Sequence, residues 1–110
     1  MLVRGPDFLI LQIDRFATLD GKKLETTVWP NDRLSLSTGE EYDLVSLAHH
    51  LGETANNGHY LAFVKAGDIW LRCDDTSVEL SSASNAKSTE SYICVYTKVI
   101  RSQHCLPKLN

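Results

Sequence analysis

Apolar and polar positions alternate along most of this chain with a period of two, which is the pattern of β-strands that bury one face. The runs are rich in β-branched and aromatic residues and are bounded by turn-forming residues. The predicted strands are residues 7–16, 23–29, 33–36, 42–51, 58–65, 68–74 and 91–99. The spacing of the leucines within 42–51 also suits a helix, but Tyr42, Val45 and the glycine-rich segment that follows favour a strand.

The connections between these runs carry turn signals. Asp20-Gly21 and Ala66-Gly67 are expected to close hairpins, because glycine takes positive φ at little steric cost. Residues 81–91 are small and polar and predict a loop with one helical turn. In the first strand, Phe8, Leu9, Leu11 and Ile13 are expected to form core. The chain is therefore predicted to be an antiparallel, β-rich unit, whose edges need cover.

Composition narrows the range of functions. The chain has 110 residues, a formal charge of −3 and a pI near 5.7, so it offers no basic field for nucleic acid or an anionic membrane. Its apolar run at residues 8–11 is too short for a signal sequence or a membrane span. Three cysteines, Cys73, Cys94 and Cys105, show no paired spacing, which indicates neither a zinc site nor a disulfide framework. We expect an intracellular domain, in the cytoplasm, the nucleus or both, with no metal and no cofactor.

One histidine and one aspartate are placed for chemistry. His59 begins one predicted strand and Asp74 ends the next, and the Ala66-Gly67 turn lies midway between them. Pairing the two strands therefore brings both residues to one edge. A carboxylate that accepts from one imidazole nitrogen fixes the tautomer and leaves the other nitrogen free to take a proton from a nucleophile. On chemistry alone, a surface polar pair is the more common interpretation of such residues.

Six segments in order resemble the histidine half of the ubiquitin-specific proteases, a family of papain-like deubiquitinases. Together they extend from residue 6 to residue 99. The segments are PDFLILQIDRF (6–16), VWP (28–30) with Leu34 and Leu36, YDLV (42–45) with His50-x-Gly52, GHY (58–60), Trp70 with Asp74-Asp75 and Val78, and SYI (91–93) through Tyr96. Each match is weak alone, whereas their order and spacing make the set specific.

The resemblance implies a fold, an activity and a set of site residues. The fold would be an α+β papain-like cysteine protease, of which this chain is mainly the antiparallel β-sheet lobe. Residues 1–100 would be the C-terminal part of the catalytic domain and 101–110 an irregular tail. His59 would be the general base, Asp74 the orienting acid and Asp75 an assisting neighbour, with Gly58 and Tyr60 beside the channel for the ubiquitin tail. Ubiquitin or ubiquitinated proteins would be the partners.

The chain departs from the family pattern in its cysteines. The family's nucleophile precedes the histidine, whereas all three cysteines here follow it. Cys73 is expected to face away from Asp74 by strand alternation, and Cys94 to be a buried core thiol. The chain is therefore a fragment, a partner of a separate cysteine-bearing lobe, or an inactive relic. The alternative functions are a non-catalytic ubiquitin-binding or scaffolding module and a generic β-sandwich interaction domain.

Other chemically suggestive residues have ordinary interpretations. His49, His50 and His104 share no ligand spacing with a cysteine or an aspartate, so we expect surface or half-buried histidines and not a metal site. Trp29 and Trp70 are expected to pack in the core or at its rim.

Overall fold

The structure, a computed structural model, describes residues 5–16, 24, 28–54, 57–87 and 91–100. In these ranges the chain forms seven strands and one short helix. They are β1 (Phe8–Gln12), β2 (Arg33–Ser35), β3 (Glu41–Thr54), β4 (Asn57–Ala66), β5 (Ile69–Asp74), β6 (Ser77–Ser81), α1 (Ala83–Ala86) and β7 (Ser91–Lys98). The prediction of a β-rich unit with one helical turn after residue 81 is confirmed.

The strands form one antiparallel sheet with the order β1-β7-β3-β4-β5-β6, and β2 pairs with β3 beside this path. The 14-residue strand β3 is its centre. Its first part pairs with β7 and its second part with β4. The helical alternative for residues 42–51 is therefore wrong, because their backbone groups bond to neighbouring strands and not to their own next turn.

The core lies on one face of the sheet. Its buried apolar members come from β3, β4, β5, β7 and α1, and are Tyr42, Leu44, Leu47, Leu61, Phe63, Trp70, Ala86, Cys94 and Tyr96. The short helix α1 packs there through Ala86, whose carbonyl oxygen lies 2.7 Å from the Nε2 atom of buried His49. Ser82 caps the helix by accepting from the Asn85 amide. Trp70 is in the core as predicted, and Trp29 is exposed at the rim.

The first strand departs from its prediction. Phe8 and Ile10 are 59% and 68% exposed, and Leu11 is also exposed, so β1 is not a core strand. Only Leu9 of β1 packs against the core, together with Ile13 just beyond the strand. The reason is its place at the sheet edge, where β7 is its single neighbour in the strand order. Regular pairing also ends at Gln12, earlier than the predicted 16.

The face of the sheet opposite the core carries a second apolar surface. Strand register places Val64 beside Leu71 and Leu71 beside Leu80, and it places Cys73 beside Val78. Side chains paired in this way share a face, as do alternate residues of one strand. We call this surface the open face and define it by Tyr60, Val64, Ile69, Leu71, Val78 and Leu80. Among these, Leu80 and Val78 are 76% and 61% exposed.

Some predictions fall outside the described residues. They are the Asp20-Gly21 turn, most of the predicted strand 23–29, His104, Cys105 and the tail 101–110. Strand β6 was absent from the sequence prediction, although Ser77–Ser81 alternates polar and apolar residues.

Candidate active site

The hairpin of β4 and β5 brings His59 and Asp74 together. His59 lies near the start of β4 and Asp74 is the last residue of β5. Their side chains meet with 2.5 Å between His59 Nε2 and Asp74 Oδ1. Both are partly exposed, at 48% and 27% of the side chain. In the tautomer in which Nε2 donates its proton to Asp74, Nδ1 is the nitrogen left to accept a proton.

The hairpin register differs from the predicted one by an even number of residues. The turn is at Gly67-Asp68, with Ala66 opposite Ile69, and not at Ala66-Gly67. Ala62 pairs with Cys73, so Asp74 approaches the level of Leu61 and does not lie directly across from His59. A two-residue shift leaves every side chain on its predicted face, whereas a one-residue shift would have separated the pair. The predicted contact between His59 and Asp74 therefore forms, although the predicted register is wrong by two residues.

Two charged groups surround the pair. Arg72 Nη2 lies 3.7 Å from Asp74 Oδ2, the oxygen not used by His59. Asp75 also approaches, since ligand-type atoms of His59, Asp74 and Asp75 all lie within 4.8 Å of one another. At Asp75 the chain has left the strand and takes a φ of 53°, so alternation no longer applies.

This group of three is also the one place, among the residues that the structure describes, where an imidazole and two carboxylates are close enough to share a metal ion. In the structure His59 Nε2 is bonded to Asp74, which is the arrangement of a base with its orienting acid. That the chain binds no metal ion stays a prediction.

Gly58 and Tyr60 flank the histidine. Gly58 has a φ of 148°, a conformation that side-chain-bearing residues rarely adopt. A Cβ atom there would also lie 2.7 Å from His50 Nε2, so the backbone passes very close to the ring. Tyr60 is 52% exposed. Its ring centroid lies 4.8 Å from that of His50.

Sequence reasoning missed the importance of His50. It was expected to be a surface or half-buried residue, yet it is 1% exposed and lies directly behind Gly58. Its ring meets Phe16, Tyr60 and Tyr92. The one feature of the sequence that could have indicated this role is the place of His50 in the His50-x-Gly52 part of the family resemblance. Alternation alone does not predict which face of the strand other segments will bury.

The two described cysteines do not belong to the pair. Cys94 is buried in β7, as predicted, and burial raises the pKa of its thiol. A thiol that resists ionisation is a poor nucleophile. Cys73 is half-buried opposite Ala62, and strand alternation directs it to the face opposite Asp74. Neither Cys73 nor Cys94 is therefore placed to act as a nucleophile beside His59 and Asp74.

Comparison with known proteins identifies the family of the chain. The family model described as ubiquitin carboxyl-terminal hydrolase matches residues 1–96. The chain belongs to this family. The resemblance to ubiquitin-specific proteases is thereby confirmed, as is the fold class, the antiparallel β-sheet lobe of a papain-like α+β protease.

Several members of the ubiquitin carboxyl-terminal hydrolase family are similar to this chain. Ubiquitin carboxyl-terminal hydrolase 25 of Arabidopsis thaliana is 28% identical over 107 residues, which is 88% of this chain and 16% of that protein. The Ubp8-Sgf11-Sgf73-Sus1 SAGA DUB module superimposes with a TM-score of 0.77 at 29% identity, over 86% of this chain and 24% of the matched chain. A SAGA DUB module bound to ubiquitin aldehyde matches with a TM-score of 0.72 at 28% identity, over 86% and 25%.

This family member thus spans a quarter or less of the length of these relatives. Within the described residues, the structure has no helix long and apolar enough to cross a membrane.

Proposed function

We propose that this chain supplies the histidine and aspartate of a cysteine-protease triad that cleaves bonds after the C-terminal glycine of ubiquitin. The observation that carries the proposal is the 2.5 Å contact of His59 Nε2 with Asp74 Oδ1, in a chain of the ubiquitin carboxyl-terminal hydrolase family. Residues 1–100 are then the C-terminal part of the catalytic domain, and 101–110 a tail. A SAGA DUB module that contains a similar chain has been solved bound to ubiquitin aldehyde, which supports ubiquitin as the partner. We place the enzyme inside the cell.

The proposed reaction assigns one task to each group. His59 Nδ1 takes the proton of a cysteine thiol, and Asp74 stabilises the imidazolium that results. The thiolate attacks the carbonyl carbon of ubiquitin's terminal glycine, and His59 returns the proton to the departing amine as the C–N bond breaks. Water, deprotonated by His59, then attacks the thioester, which releases the ubiquitin carboxylate and regenerates the thiol. Asp75 assists from its position beside the pair, and Gly58 and Tyr60 border the path of the ubiquitin tail.

The nucleophile comes from a cysteine-bearing lobe, on a longer form of this chain or on a separate one. The open face is a surface for such a partner, because exposed apolar residues that lie next to one another are typical of interfaces. The open face borders the site at Asp75, since a pocket of about 300 Å³ is lined by Tyr60, Ala62, Cys73 and Asp75, among others. His59 and Asp74 themselves lie towards the opposite face of the sheet.

The test is reconstitution with the cysteine-bearing part of a related enzyme, assayed on a fluorogenic amide of the ubiquitin C-terminus. We expect no hydrolysis by the 110-residue chain alone and thiol-dependent hydrolysis by the mixture. Turnover by the chain alone that disappears on substitution of Cys73, Cys94 or Cys105 would show that the nucleophile has been misassigned.

A non-catalytic ubiquitin-binding module is the second candidate, favoured by the separation of Cys73 and Cys94 from the histidine–aspartate pair. Titration of labelled ubiquitin decides between the two together with the reconstitution. Binding to the chain alone, with no activity after addition of the second lobe, supports the module.

A further inference from the structure

We propose that His50 is a positioning residue for His59, acting through the backbone of Gly58. His50 does not touch the reacting atoms in this account. Its ring instead forms the surface against which Gly58 lies, so that the following residue keeps its imidazole on Asp74. The inference rests on the proposed function for its importance, but its central measurement does not require activity.

The strand ladders leave the start of β4 weakly held. On the β5 side, regular pairing extends only as far as Ala62 and Cys73, three residues beyond His59. On the β3 side, His59 pairs with Leu51, and the register shifts immediately after that pair. Backbone hydrogen bonding therefore diminishes at His59, the residue whose imidazole must keep its position against Asp74. Side-chain packing has to supply the remaining constraint.

His50 is the side chain in position to supply it. It lies in β3 opposite Tyr60, one residue before the Leu51–His59 pair. A Cβ atom on Gly58 would fall 2.7 Å from its Nε2 and 2.9 Å from its Cε1, which places the ring edge against the glycine backbone. Only a residue without a side chain permits this approach.

The ring of His50 is itself held in place. Phe16 meets it edge-on, with centroids 5.2 Å apart and an interplanar angle of 88°. Tyr60 lies at 4.8 Å and Tyr92 at 6.1 Å. Close-packed interiors have few voids and resist displacement, so a ring enclosed in this way transmits a fixed position to whatever rests on it. The chain of contacts runs from the aromatic residues to His50, then to Gly58, and from there to His59 and Asp74.

A histidine that only packs in the interior would respond differently from a positioning residue when a smaller side chain replaces it. Its loss would lower global stability without affecting Gly58 and His59 in particular. His50→Asn tests this, since it keeps a planar polar group but withdraws the ring edge from Gly58. Leu47→Ala is the matched control, because Leu47 is fully buried in the same strand but lies three residues away, opposite Phe63.

The measurement is backbone ¹⁵N relaxation of the 110-residue chain. We expect order parameters near 0.85 at Gly58 and His59 in the wild-type chain and in Leu47→Ala, and values below about 0.6 in His50→Asn. High order at both residues in a folded His50→Asn chain would overturn the proposal. If that variant does not fold, Gly58→Ala, which disturbs the same contact from the other side, takes its place with the same expected loss.

Activity gives a second and separable readout. In the reconstituted enzyme, His50→Asn should lower kcat about 10- to 100-fold with KM nearly unchanged, because a misplaced base slows chemistry without altering ubiquitin binding. An unchanged kcat, or an effect confined to KM, would contradict the positioning role. A wild-type chain in which His59 is mobile and does not contact Asp74 would instead contradict the proposed function itself.

Discussion

The contact between Gly58 and the residues behind it predicts an unusually costly alanine substitution. Gly58→Ala places a methyl group 2.4 Å from the carbonyl oxygen of Leu51 and 2.7 Å from His50 Nε2. The first of these atoms is backbone and cannot rotate away. The residue also has a φ of 148°, which costs about 1–3 kcal/mol for a residue with a side chain. Forcing the methyl group into this space adds about 1–3 kcal/mol, as overpacking usually does.

Gly39→Ala is the matched control for this prediction. Gly39 has a φ of 95°, yet nothing lies within 4 Å of the position that its Cβ would take. Its substitution therefore carries the conformational cost without the clash. We expect Gly58→Ala to be less stable than Gly39→Ala by about 1–3 kcal/mol.

Urea unfolding followed by circular dichroism measures this difference. For a chain of this size, with a slope of about 1–2 kcal/mol per molar urea, the midpoint of Gly58→Ala should lie roughly 1 M below that of Gly39→Ala. Equal midpoints would show that Gly58 does not rest on Leu51 and His50, and the reasoning about the backbone behind His59 would be refuted.

Three further predictions concern the rest of the sheet. Leu47→Ala should cost about 2–5 kcal/mol in urea unfolding, because Leu47 is fully buried; a loss below 1 kcal/mol would contradict the assigned core. Val78→Asp should leave stability within about 0.5 kcal/mol, because Val78 is 61% exposed, but should weaken reconstitution with a cysteine-bearing lobe; unchanged reconstitution would contradict the docking role of the open face. The ion pair with Lys87 lowers the pKa of Asp32 in the folded chain. The stability that the ion pair adds is therefore fully present above the pKa of Asp32 in the unfolded chain, and it is lost as the pH falls through the pKa of Asp32 in the folded chain. Asp32→Asn should therefore be less stable than wild type at pH 6, and the difference should shrink as the pH falls below the unfolded pKa; a constant difference would contradict the linkage.

The sequence was sufficient to predict the candidate pair because the prediction depended on parity and not on exact register. His59 and Asp74 stand near the ends of adjacent strands, and the two-residue error in register left them on one face. Alternation does not extend to Asp75, because the strand ends one residue earlier and the backbone turns there.

Burial was harder to predict than strand formation. An apolar run such as Phe8–Gln12 predicts a strand, but not whether the strand lies at the centre of a sheet or at its edge. Likewise, the alternation in Ser77–Ser81 is present, yet its apolar side chains lie on the open face and not in the core. Which face is covered depends on contacts between segments that are distant in sequence. The burial of His50 depends on such contacts too, because its aromatic neighbours include Phe16 and Tyr92.

The central claim is that His59 is the base and Asp74 its orienting acid. Measurement of kcat/KM on one ubiquitin substrate, for the enzyme reconstituted with a cysteine-bearing lobe, tests it most directly. His59→Ala should lower kcat/KM by about three orders of magnitude or more, Asp74→Ala by less, and Asp75→Ala by the least, because Asp74 holds the Nε2 proton. Circular dichroism should show all three variants folded, since a partly exposed ion pair contributes no more than about 1 kcal/mol. Full activity in His59→Ala and Asp74→Ala would contradict the account, and a larger loss in Asp75→Ala than in Asp74→Ala would transfer the orienting role to Asp75.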